Sequence, residues 1–168
     1  MIDFNVTELK KHIIPLYYIP FKISKIDHYK KSIIHPYIPL KVILILNRIC
    51  KLYNLKLKFV NNLYCSGTYN YYNKMIKLKS NTKSITYLIH IFCHELAHHI
   101  HLTNKKYKIS KLSDNDRQCY ICLKEYIACK LGFYICQNYF YKKTKYSDHV
   151  RWRDKLTKNL HKYQRKNK

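Results

Sequence analysis

Residues 85–102 read ITYLIHIFCHELAHHIHL. Apolar residues fall all round a helical wheel drawn through this stretch. It therefore reads as a helix of about eighteen residues that is largely buried, not a surface helix with one apolar stripe. Its second half, IFCHELAHHIHL (Ile91–Leu102), carries four histidines and Glu95. His94 and His98 are four apart, so on a helix they lie about 40° from each other on one face and one turn apart. Two imidazoles in that arrangement can hold one Zn2+ ion. Glu95, rotated by about 100° from His94, can reach a water at the ion without being a ligand. Zinc would acidify that water, and the carboxylate would take its proton and pass it to the leaving amine of a peptide bond. The competing reading is a set of histidines packed in a core helix with no metal. A charged glutamate in a buried apolar helix fits that reading poorly.

A zinc site of this kind needs a third protein ligand and an open position. His101 lies two turns from His94, roughly 10.5 Å along a straight helix, and reads as a core or supporting histidine. His99 points away from the ligand face and is expected to bind nothing. His149 is a distant fallback. The chain has only three glutamates, Glu8, Glu95 and Glu125. Glu125 stands in CLKEYIACKLG, where Cys122, Tyr126, Cys129, Phe133 and Cys136 all fall within about 100° of it on a helix. A carboxylate on such a stripe is costly unless paired or metal-bound, so Glu125 is the best third ligand. The alternative is a glutamate at the edge of the face, paired with one of the many lysines. The Cys119-x-x-Cys122 pair with Cys129 falls on one continuous helix and reads as packing, not as a zinc knuckle or redox pair.

Working outward, LKVILILNRICKLYN has apolar residues at helical spacing and predicts a helix over 39–53. LKLKFV (Leu55–Val60) alternates and predicts a strand with Leu55, Leu57 and Phe59 on one face. TYNYYNKMIKLKS ends in a second alternation at Met75–Leu78, a second strand with the Tyr-Asn run as its irregular part. Ser80–Lys83 offers capping chemistry for the histidine helix. TNKKYKISKLS (103–113) reads as a basic loop, and Ser113 or Asp114 can cap a helix from about 115 to 131 or beyond. Residues 1–35 are interrupted by Pro15, Pro20 and Pro36. The segment 138–168, around Trp152, is a basic extension expected to be helical. The order helix, strand, strand, helix, helix makes one α+β domain over 1–168, with its core at about 39–135.

Composition narrows the classes. Hydrophobic residues make up 47% of the 168, enough for a core. The two glycines, Gly67 and Gly132, stand far apart, so a Gly-rich phosphate loop is excluded. Thirty-three basic residues face nine acidic ones, a net charge of +24. Lysine outnumbers arginine 28 to 5, and Asn, Ile and Tyr are abundant, the mark of AT-rich coding. Such a field attracts nucleic acid without reading its sequence; a merely solvated basic surface is the alternative. Seven cysteines, an odd number, with no basic stretch and apolar run at the start, predict a reduced, intracellular chain whose thiols act as small hydrophobes. No uncharged apolar run approaches 18 residues, so no membrane span is expected.

His94-Glu95-Leu96-Ala97-His98, followed by Glu125-Tyr126-Ile127-Ala128, resembles the HExxH…ExxA pattern of the ImmA/IrrE-type metallopeptidases. Gly67-Thr68-Tyr69…Ile76-Lys77-Leu78 resembles the strand that precedes the zinc helix in that family. The resemblance covers roughly residues 39–135. It implies a zincin-like domain and a gluzincin-like endopeptidase, with His94, His98 and Glu125 as zinc ligands and Glu95 as general base. Members of the family cut repressor-like proteins, so a protein substrate is implied. It also implies that the strand at Ile76, Lys77 and Leu78 lines the cleft and pairs with an extended substrate. Family members often have a small residue where Ala97 stands and a histidine slightly later than His101, and no helix-turn-helix accompanies the domain here. The SprT-like proteases, which act on DNA-associated proteins, suit the charge, but their third ligand is a histidine usually followed by glycine, and no His-Gly pair occurs. A non-catalytic, basic nucleic-acid-binding protein with a structural metal is the reading from another class. Tyr69, Tyr71 and Tyr72 are weak candidates for stabilising an oxyanion.

Overall fold

The computed structural model describes residues 10, 38–82, 84–104 and 114–140. Among them the order is α1 (Leu40–Leu52), β1 (Lys56–Val60), β2 (Gly67–Asn70), β3 (Met75–Lys79), α2 (Ile85–Asn104) and α3 (Asp114–Ile135), which ends in a π-helical turn, Cys136–Phe140. The class is α+β, with a small mixed sheet. Apart from residue 10, the proline-interrupted segment 1–35 lies outside the described residues, as do the capping residue Ser113, His149 and the extension beyond Phe140.

Helix α1 starts after Pro39, whose fixed φ suits the residue ahead of a helix. It ends in a Schellman-type turn: Asn54 takes the left-handed conformation (φ 52°) and the Leu55 N–H returns to the Cys50 carbonyl at 2.8 Å. That turn delivers the chain into β1, where Leu57 and Phe59 alternate with exposed Lys56 and Lys58 as expected.

The stretch expected to hold one further strand is instead a hairpin. The Asn70 side chain accepts hydrogen bonds from the main-chain N–H groups of Tyr72 and Asn73, and Lys74 sits at φ 48°, so the chain reverses over Tyr71–Lys74. An asparagine bonding the backbone two and three residues on is a turn former, and it cuts the Tyr-Asn run in two. The sheet order is β1-β3-β2, with β1 parallel and β2 antiparallel to β3. Strand β3 is therefore central and paired on both sides. Ile76 and Leu78, fully buried, face the helices, and Lys77 faces the other way. The expectation that Ile76, Lys77 and Leu78 pair with a substrate is corrected: their strand has no free edge, the sheet's edges belong to β1 and β2, and β2 is the one that lines the cleft beside α2.

Ser84 caps α2, its hydroxyl accepting from Tyr87 N–H at 3.1 Å, one residue past the expected capping stretch. The helix runs 20 residues, so Thr103 and Asn104 belong to it and not to a loop. It is buried over most of its circumference, as the wheel predicts, with only the Tyr87, Ile91 and His94 face partly open: Leu88, Ile89, Phe92, Leu96 and Ile100 join one core with Val42, Leu46 and Ile49 of α1, Ile76 and Leu78 of β3, and Ile127, Leu131 and Ile135 of α3. Each such side chain contributes about 1.5–3 kcal/mol when fully buried. Both glycines of the chain lie against this helix. A Cβ on Gly132 would stand 2.9 Å from the main-chain N and Cα of His94, and one on Gly67 would collide with Ile91 and crowd Glu95. Only a residue without a side chain lets α3 and β2 approach so closely. No helix of the described residues is long and apolar enough to cross a membrane.

Candidate metal centre

His94 and His98 emerge one turn apart from the wall of α2 that faces Glu125 of α3. Their Nε2 atoms are 3.0 Å apart, and each lies 3.3 Å from one oxygen of the Glu125 carboxylate. These are the His, Cys, Asp and Glu donors that converge among the described residues, all within 4.8 Å of one another. Zinc–nitrogen and zinc–oxygen bonds of about 2.0–2.1 Å in a tetrahedron place neighbouring donors about 3.3 Å apart. The donors fit an ion of that size, and the set of two neutral imidazoles and a carboxylate suits a divalent metal. The cluster can hold a metal ion, and its identity is not set by these distances.

Glu125 reaches the histidines because it shares a face of α3 with Gly132 and Cys136, seven and eleven residues on, within about 20° of both. That face is the seam with α2. The deepest apolar residues of α3, Ile127, Leu131 and Ile135, point to another side, so Glu125 stands at the rim of the core and keeps a quarter of its side chain exposed. Lys124 Nζ, 3.9 Å away, is a remote partner.

Charge in the cluster is shared unequally. Burial alone would raise the Glu125 carboxyl, but its hydrogen bonds with His94 and His98 outweigh burial and hold it far below the usual carboxylate range. Burial opposes protonation of His94, but hydrogen bonds with Cys129 and Glu125 reverse this and hold it up at about 10. His98 is held below its ordinary value by burial and by the charge on His94, despite the same carboxylate. One carboxylate supports one imidazolium: the metal-free trio keeps a single extra proton, on His94. The Cys129 thiol touches the other nitrogen of His94, Nδ1, at 3.6 Å and so orients the ring.

Glu95 is almost wholly buried beside the cluster and is held by a main-chain hydrogen bond from Tyr69 of β2. Burial lifts its carboxyl to about 7, partly offset by His94. It opens onto a cleft of about 550 Å³ between the β2 edge, α2 and α3, which Ser66, Gly67, Tyr69, Tyr87, Ile91 and Lys124 also line. Because Lys79 N–H bonds the Ser66 carbonyl, Ser66, Thr68 and Asn70 exchange hydrogen bonds with β3. The main-chain groups of Gly67 and Tyr69 face away from β3, the Tyr69 N–H toward Glu95.

Of the remaining histidines, His101 is in the core and outside the donor cluster, as expected. His99 is also outside the donor cluster, as expected, but it has another role. It is buried, its Nδ1 lies 2.9 Å from the Tyr69 hydroxyl, and Tyr69 and Tyr53 pack edge-on against its ring. Burial, followed by the charge of Lys74, lowers its pKa to about 4, and burial raises Tyr69 to about 12. Both groups are therefore neutral, and the Tyr69 hydroxyl and His99 Nδ1 share one hydrogen bond. His99 is a strut that ties β2 to α2. Tyr71 and Tyr72, exposed in the hairpin turn, are not among the residues lining the cleft, whereas Tyr69 and Tyr87 are. Tyr87 was legible in principle, since it precedes His94 by seven residues on the same helix face; Ser66, whose hydroxyl lies 2.9 Å from that of Tyr87, carried no signal. The described cysteines are free; Cys50 and Cys93 are buried as small apolar groups, Cys129 and Cys136 are buried with their thiols against His94 and His90, and Cys65 is exposed at the cleft. No family model, curated protein or solved structure matches this chain.

Proposed function

We propose that this chain is a zinc-dependent endopeptidase of the ImmA/IrrE type on a zincin-like domain, and that it hydrolyses a protein substrate such as a repressor-like regulator. The observation that carries the reading is the convergence of His94, His98 and Glu125 at the donor spacing of zinc, with a second carboxylate, Glu95, buried beside them and bonded to none of the three. A site that served only to staple the fold has no use for Glu95.

Bound Zn2+ would supply a Lewis acid that acidifies a water and polarises a carbonyl. Glu95 supplies the proton relay. A carboxyl raised to about 7 by burial is matched to accepting a proton near neutral pH and returning it to a leaving amine. The Tyr69 N–H fixes one side of that carboxylate, so its orientation does not depend on substrate. An extended peptide laid along β2 would find the Gly67 main-chain groups and the Tyr69 carbonyl on the edge, in the manner of an added strand. The tight approach at Gly67 brings that edge to the cluster.

Glu95→Gln tests the reading. The amide is isosteric but cannot take a proton, so zinc content and folding should match the parent while cleavage of an unfolded protein such as casein is lost by at least about 10²-fold. Equal cleavage by the zinc-loaded variant and the parent refutes the peptidase mechanism. Zinc content unchanged in Glu125→Ala refutes the ligand assignment. The third donor being a glutamate separates this reading from the SprT-like one.

A further inference from the structure

The face of the sheet turned away from the metal centre is a surface of a different kind. On β1, Lys56 and Lys58 are exposed; on β3, Lys77 and Lys79 are half-buried beside them. The parallel register sets Lys58 directly opposite Lys77. Like charges facing each other across strands oppose folding, and the three strands carry no aspartate or glutamate to relieve them. Neighbouring strands are about 4.8 Å apart, and alternate residues along a strand about 6.6 Å. The four ammonium groups therefore form two short parallel rows, a repeat of positive charge along a line. At the two ends of these rows stand fully solvent-facing aromatics. Tyr72 in the β2–β3 turn is 95% exposed and Tyr64 in the β1–β2 loop is 105% exposed. The Tyr72 ring meets Tyr71 edge-on and stays solvent-facing, as does Tyr64, with the lysine rows running between the two loops that carry them.

We propose that this outer face binds single-stranded nucleic acid, the lysine rows tracking the phosphates and Tyr72 and Tyr64 stacking on bases. Rows of cations bracketed by open aromatic faces are what non-specific single-strand binding requires. A duplex keeps its base faces closed to the tyrosines. A membrane would call for apolar side chains between the lysines, where the face offers only the half-buried Met75 and Val60. The binding is independent of the cleft chemistry, because the face lies across the sheet from His94, His98 and Glu125; its role would be to hold the chain where a nucleic-acid-associated partner is found.

The test is fluorescence anisotropy of a short labelled oligothymidine across a salt series, using the full chain. Lys58→Gln combined with Lys77→Gln should weaken binding on the order of tenfold at low salt and reduce the slope of log K against log salt by roughly 1.4. Its unfolding should be no easier than the parent's, since a repulsion is removed. Tyr72→Ala should weaken binding by about fivefold or more with the salt slope unchanged. The control pair, Lys41→Gln with Lys51→Gln, removes the same charge from the exposed side of α1. An equal loss in the control overturns the proposal in favour of diffuse attraction. Tighter binding to duplex, or binding to phosphatidylserine vesicles without binding to the oligonucleotide, also overturns it.

Discussion

Replacing Gly132 by alanine sets two effects of opposite sign against each other. In a helix interior, Gly→Ala is worth about 1 kcal/mol in favour of folding. The new methyl, however, would lie 2.9 Å from His94 N and Cα and 3.0 Å from the Cys93 carbonyl carbon. Carbon contacts are comfortable only at about 3.5–4.0 Å, and these are main-chain atoms of a buried helix that cannot rotate aside. Helix α3 must therefore retreat from α2 by roughly 0.6–1 Å, at the usual overpacking cost of about 1–3 kcal/mol. The packing effect wins, for a net loss of about 1 kcal/mol. In a chain of 168 residues that lowers Tm by about 2–4 °C. The retreat also carries Glu125, two turns back on the same face, away from its 3.3 Å contacts with both histidines. Metal sites tolerate about 0.2 Å, so zinc affinity should fall on the order of 10–100-fold. Urea unfolding of the metal-free protein and zinc titration against a competing chelator measure the two losses. A Gly132→Ala protein that gains about 1 kcal/mol and binds zinc as the parent does would refute the close-approach reasoning.

Other outcomes follow from the same contacts. Zinc uptake at neutral pH should release about one proton, because His94 keeps its extra proton up to about 10 and must shed it to bind; calorimetry in buffers of different ionisation enthalpy detects it, and no buffer dependence contradicts the shared-proton picture. By the same sign, a His94 pKa above its unfolded value adds stability to the metal-free protein that is whole below about 6.5 and is lost as pH rises through about 10. His99 behaves oppositely: with its pKa lowered to about 4, its contribution is present above about 6.5 and lost as pH falls toward 4. His99→Phe should flatten that acid limb of the stability curve, and an unchanged limb contradicts the assignment. Tyr69→Phe removes the 2.9 Å bond to His99 and leaves a buried nitrogen unpaired, costing about 1–3 kcal/mol with zinc affinity intact; unaltered unfolding would contradict the strut.

How much of this is legible in the chain depends on the range of the interaction. Helices α1 and α2 and strand β1 follow from periodicity, because their burial repeats at intervals that a local pattern records. His94, Glu95 and His98 share one helix, so their mutual placement is a matter of 3.6 residues per turn. Glu125 was reachable as a rare carboxylate on a mostly apolar stripe, but its convergence on both imidazoles required α3 to dock on α2. The β2–β3 hairpin was hidden because one asparagine side chain, bonding locally to the backbone, breaks a run that otherwise looks uniform.

Strand order is the clearest division between the two levels. Alternation at Met75–Leu78 marks a strand but cannot say whether it lies at an edge, and pairing on both sides made it central and moved the cleft wall to Cys65–Tyr69. The role of His99 likewise depended on Tyr69, thirty residues away. Composition counts the two glycines, and only the packed structure shows that both stand against the metal-site helix, where a Cβ would collide with it. By itself the sequence determined most of the elements and which residues could serve as metal donors; which edge, which face and how close were decided by packing, because those depend on contacts between segments that no local periodicity encodes.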